Sequence, residues 1–72
     1  MTKQSELYDR AAECEQQMKI VTDPVRRQAY MLLRDMWIML ANGSVGMSDA
    51  LVDREIAMIE KVQATAEAGV WQ

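Results

Sequence analysis

The sequence predicts an all-α fold: an antiparallel αα-hairpin (about 3–20 and 24–41) plus a third helix (about 49–67), completed by dimerisation into a helical bundle. Three observations carry this reading. Apolar residues recur at spacings of three and four along most of the chain, which is the helical period. Thr22-Asp23-Pro24 interrupts the pattern once, and Asn42-Gly43 interrupts it again.

In the first segment Leu7, Ala11, Cys14, Met18 and Val21 step by 4-3-4-3, and Tyr8 and Ala12 widen the stripe. Glu6, Asp9, Arg10, Glu13 and Gln16 lie opposite. Glu6–Arg10 and Glu15–Lys19 are i,i+4 pairs with the acid N-terminal, the better orientation. Thr22-Asp23-Pro24 then ends one helix and starts the next. Proline disfavours the α conformation in the residue before it but suits the first helical position. Asp23 falls at the N-cap, where its carboxylate accepts a backbone N–H and complements the helix dipole. So short a link makes the first two helices antiparallel neighbours.

The second helix presents two adjoining stripes, Val25-Ala29-Leu32-Met36-Met39 and Leu33-Trp37-Leu40. Tyr30 and Ile38 break this amphipathic pattern. Projected at ~100° per residue, Met31 and Ile38 fall beside Arg27 and Arg34. The C-terminal half of this helix is therefore apolar nearly all round, which demands cover on more than one side. Asn42-Gly43 reads as a C-terminal stop through positive φ, Ser48 as the next N-cap, and Val52, Ile56, Ile59, Val62 and Ala66 as the inward face of the third helix. Residues 69–72 read as a frayed end to a single domain spanning 1–72.

A chain of 72 residues has a small core. It buries roughly 60% of its unfolded surface and gains only a few kcal/mol. Chains of this size are usually reinforced by a disulfide, a structural metal or a second subunit. Cys14 is the single cysteine and there is no histidine, so association is the support left open. Net charge is −3, and no charge occurs between Met36 and Ser48. That segment with Met31 defines the expected interface: Met31, Met36, Trp37, Ile38, Met39, Leu40 and Met47. Methionine is soft and adaptable, which suits a helical partner or a second copy. The expected partner is accordingly a homo-oligomer, a dimer, or another helical protein.

Enzymatic chemistry has little to work with. There is no histidine to act as a general base, and Cys14 lies on an apolar stripe with no activating partner. Gly43-Ser44-Val45-Gly46 lacks the spacing and lysine of a phosphate loop. Glu6, Asp9 and Glu13 share one helical face, but the Glu-x-x-His element of di-iron bundles is missing, so a solvated face is expected there. No catalytic residue, cofactor or metal is therefore expected. The polar N-terminus is no signal sequence, and the longest apolar run, 36–41, falls short of a ~20-residue membrane span. One unpaired thiol suits a reducing, cytoplasmic setting.

The basic cluster Arg26, Arg27 and Arg34 supports one alternative. Thr22-Asp23-Pro24-Val25-Arg26-Arg27, leading to Leu32-Leu33, resembles the opening of a winged-helix repressor, which would imply a small DNA-binding transcriptional regulator. Helix 2, however, continues to Ala41 where a repressor breaks, and residues 49–60 are mainly acidic. Nucleic acid is thus the weaker expectation. An apolar small molecule held between the helices is a third, resting on methionine content alone. Finally, Tyr8-Asp-Arg-Ala-Ala-Glu-Cys-Glu15, Thr22-Asp-Pro-Val-Arg-Arg27 and Leu33-Arg-Asp-Met-Trp37-Ile-Met-Leu-Ala41 together resemble short uncharacterised helical-hairpin proteins of rhizobia and related alphaproteobacteria. The resemblance covers about residues 7–41 and implies a bacterial cytoplasmic protein. It implies no activity.

Overall fold

The structure is a computed structural model that describes residues 3–68. Three helices follow one another: α1 (Lys3–Ile20), α2 (Pro24–Gly43) and α3 (Asp49–Glu67), with a single 3₁₀ turn at Ser44–Gly46 before α3. The fold is all-α. The frayed end expected at 69–72 lies outside the described residues.

Local chemistry explains the boundaries. The Asp23 carboxylate accepts the Val25 N–H at 3.1 Å, and its extended backbone turns the chain into Pro24. Ser48 does the same for α3, its hydroxyl accepting the Leu51 N–H at 3.2 Å. A cap of this kind is worth about 1 kcal/mol. The end of α2 differs from expectation. Gly43 is right-handed helical (φ −86°, ψ −12°), and α2 continues two residues past the expected stop. The Ala41 carbonyl accepts the Ser44 backbone N–H, and side chains add to this cap: Ser44 Oγ at 2.8 Å and Gln4 Nε2 at 3.1 Å.

This yields a first prediction. Nothing lies within 4 Å of a Cβ added at Gly43, and its φ is negative. Gly43→Ala should therefore raise stability by about 0.4–1 kcal/mol, mainly by narrowing the unfolded ensemble. Urea melts of the two chains measure this directly. Loss of stability would mean that the chain needs a left-handed residue at position 43 after all.

The helices run up, down and up. Because α1 and α3 are parallel, their facing residues keep a constant offset. Lys3 pairs with Asp53, Arg10 Nη2 meets Glu60 Oε2 at 2.9 Å, and both pairs are separated by 50 positions. Gln17 and Glu67 continue that register on either side of one shallow cleft. Positions 3, 10 and 17 thus face 53, 60 and 67 at heptad spacing, which keeps one line of each helix toward the other. The intrahelical pairs Glu6–Arg10 and Glu15–Lys19 give way to these links: Arg10 turns to Glu60, and Glu15 lies 3.9 Å from Arg34. All are exposed pairs, so the choice among them costs little.

The core lies beneath this polar seam. Leu7, Ala11 and Cys14 of α1 and Val52, Ile59 and Ala66 of α3 close on Ala29, Tyr30, Leu33, Trp37, Leu40 and Ala41 of α2. Trp37 sits at its centre with 0% exposure. Its indole N–H donates to Gln63 Oε1 at 3.3 Å, and the Arg10 guanidinium lies 5.2 Å from the ring centroid. The inward arc of α2 is thus centred on Leu33 and Trp37, with Tyr30 inside it. Of the two adjoining stripes, Leu33-Trp37-Leu40 is buried, while Val25, Leu32, Met36 and Met39 of the other are exposed and only its Ala29 is buried. The physical reason is that α1 and α3 flank the Leu33–Trp37 ridge from either side, so the arc between them takes the two large rings.

Candidate interaction surface

Helix α2 gives one side to α1 and a second to α3, and the sequence runs out of polar residues before the rest is covered. Starting from Leu40 in the core and turning away from α1, the α2 surface carries Met36, Val25, Leu32 and Met39 before it reaches Gln28 and Asp35. Leu32 is 57% exposed and Met39 73% exposed. Helix α3 mirrors this. Beyond its buried Ile59 it shows Glu55, half-buried Val62, exposed Leu51 and Met58, and then Arg54 and Lys61.

These two apolar arcs border the same groove. Met36, Met39 and Leu40 line it on one side and Glu55 and Ile59 on the other, with Met47 at the end, enclosing about 310 Å³. It is open along its length, a shape that admits a row of side chains from another helix. Exposed large apolar residues are unremarkable singly, but a contiguous patch framed by polar edges marks an interaction site.

The expected interface residues divide accordingly. Met36, Met39 and Met47 stand at the groove. Leu40 also lines it but is buried, and Trp37 does not line it and is wholly buried in the chain's own core, so neither offers a partner a free surface. Ile38 packs half-buried against that core from the α1 side, and Met31 is exposed on the same side, away from the groove. Val25, Leu32, Leu51 and Met58 belong to the surface and were missed. Val25–Leu32 and Leu51–Met58 are each spaced by seven, which was visible, but spacing alone does not say which arc faces inward.

Charged and titratable groups elsewhere are committed within the chain. Arg26 Nη2 donates to the Glu67 carbonyl at 3.1 Å, capping the end of α3, while Arg26 Nε is buried without a hydrogen-bond partner. Arg27 donates twice to the Val21 carbonyl, at 3.0 and 3.3 Å, and closes the α1–α2 link. Arg34 holds Asp35 at 3.1 Å. The three arginines of the basic cluster are therefore spent on backbone carbonyls and nearby acids. Burial pushes the Cys14 thiol up, with Glu13 adding to it, and burial likewise raises Tyr30. The hydrogen bond to Asp53 raises Lys3. Among the described residues no three metal-ligating side chains converge, and Glu6, Asp9 and Glu13 are all exposed. No helix among them is long and apolar enough to cross a membrane.

Compared with family models, with curated proteins and with solved structures, the chain matches none of them.

Proposed function

We propose that this protein is a non-enzymatic helical interaction module that self-associates as a homodimer through the apolar α2–α3 face. The observation that carries the reading is the exposed stripe Val25-Leu32-Met36-Met39 beside Leu51 and Met58. A small three-helix core leaves little stability to spare, and covering this stripe removes apolar surface from water at about 25 cal/mol per Å². Methionines lining the groove adapt their shape to the side chains that enter it. The lone buried Cys14 fits a reducing, cytoplasmic address. DNA binding loses its footing because Arg26, Arg27 and Arg34 already serve the chain's own termini and acids.

Sedimentation equilibrium at micromolar concentration tests the proposal. A species of twice the 8.2 kDa chain mass is expected, and a clean monomer rules the homodimer out. Leu32→Glu and Met39→Glu place a charge on the face without touching the core. Each should weaken association by about two orders of magnitude or more, since a two-fold interface carries the charge twice. The helical circular-dichroism signal of the dilute monomer should stay unchanged. Ile38→Glu is the poorer probe, because Ile38 packs against the core and its loss reads out folding.

A further inference from the structure

We infer that the two-fold axis of the dimer runs parallel to the helices, so that α2 of one copy lies antiparallel against α3 of the other and Asp35 faces Lys61 across the interface. This rests on the self-association proposed above. It adds the orientation, and the charges at the edges of the face select it.

The α2 edge of the apolar face is Gln28 and Asp35, seven apart and both exposed; Asn42, next in that line, instead accepts from the Tyr8 hydroxyl of α1. The α3 edge is Arg54 and Lys61, also seven apart and exposed. Neither Arg54 nor Lys61 forms an ion pair with any other described residue. The Asp35 carboxylate is engaged on one oxygen by Arg34 and remains exposed. One edge is thus acidic to neutral and the other basic.

The groove also sets the levels along the helices. Arg26 reaches Glu67 and Trp37 reaches Gln63 between these two antiparallel helices, and Met36 and Leu40 share the groove with Ile59 and Glu55, so Asp35 lies near the level of Lys61. A two-fold parallel to the helices preserves these levels and exchanges the edges. It sets Asp35 against Lys61 twice. It also makes every neighbouring pair among the four central helices antiparallel, which aligns their dipoles favourably. A two-fold perpendicular to the helices would instead lay α2 on α2 and α3 on α3. Because Asp35 and Lys61 lie near the middle of their helices, Asp35 would then meet Asp35 and Lys61 would meet Lys61. Like charges oppose that arrangement.

Charge reversal on the full chain tests the orientation. Asp35→Lys and Lys61→Asp, each alone, should weaken the homodimer about tenfold at low salt, by turning two attractions into two repulsions. An equimolar mixture of the two variants should recover the wild-type association constant, because the mixed dimer restores both pairs. The difference should fade at ~1 M salt. Under the perpendicular axis neither single variant would change affinity and the mixture would bind more tightly than wild type; that pattern overturns the inference and leaves self-association standing. Variants and mixture all indistinguishable from a dimeric wild type would overturn it equally. A monomeric wild type removes the underlying proposal itself.

Discussion

Trp37→Ala is expected to leave the chain largely unfolded at 25 °C. The indole is wholly buried between Leu33, Leu40 and the inward faces of α1 and α3. Truncating a core tryptophan costs about 3–5 kcal/mol, the lost transfer energy plus the cavity left behind. One core of this size supplies only ~3–5 kcal/mol in all. Helix packing cannot close the gap, because the ring is shared by three helices and no single one can move to fill it. Far-ultraviolet circular dichroism and a urea melt, compared at one fixed chain concentration, measure the loss. Trp37→Phe separates the contributions: it keeps most of the apolar volume and gives up the 3.3 Å bond to Gln63 and the Arg10 contact. These are worth about 1–2 kcal/mol together, so Trp37→Phe should remain folded. A cooperative Trp37→Ala melt within ~1.5 kcal/mol of wild type would mean that Trp37 is not the centre of the core.

The second large effect concerns Cys14. Its thiol is 1% exposed, and burial beside Glu13 raises its pKa above the ordinary 9.0. Alkylation needs an exposed thiolate, so iodoacetamide at pH 8 should label the native chain at least ~100-fold more slowly than the chain in strong urea. Comparable rates in both would place Cys14 outside the core. The same shift fixes a pH dependence. The folded-state pKa is raised, so the unfolded chain gives up the Cys14 proton first. The stabilising contribution is therefore complete below about pH 9 and declines as pH rises through the folded value. Tyr30, raised by burial from 10.0, adds a further decline at higher pH. Cys14→Ala should flatten the first part of this alkaline loss and leave the second. An equally steep loss in that variant would assign it to other groups.

Much of the architecture was legible because it is local. Asp23-Pro24 and Ser48 place two helix starts through caps that each involve only a few successive residues. The 4-3-4-3 stripe of α1 and the 4-3-3-4 stripe of α3 name residues that are all buried or half-buried, although Tyr8 and Ala12, read as widening the first, are exposed. Helix α2 was harder. Its apolar residues extend almost all round, so no polar face fixes its rotation, and the spacing leaves open which of its two adjoining stripes is buried. The helical stop was misread for a related reason. A glycine permits positive φ without requiring it, and Gln4, 37 positions away from Ala41, supplies part of the cap. The i,i+4 ion pairs failed because Arg10 and Glu15 had equally good partners on other helices at the same low cost.

What the sequence determined by itself is the all-α class, the three helices, and the excess of apolar surface on α2. Those follow from periodicity and capping, which act within a turn or two. Only the tertiary structure decided where that excess goes. Two neighbouring helices cover the Leu33–Trp37 ridge, and Leu32 and Met39 remain outside. Rotation of a helix is settled by the packing of all its neighbours at once, and a one-dimensional pattern that is apolar on nearly every side leaves that choice open.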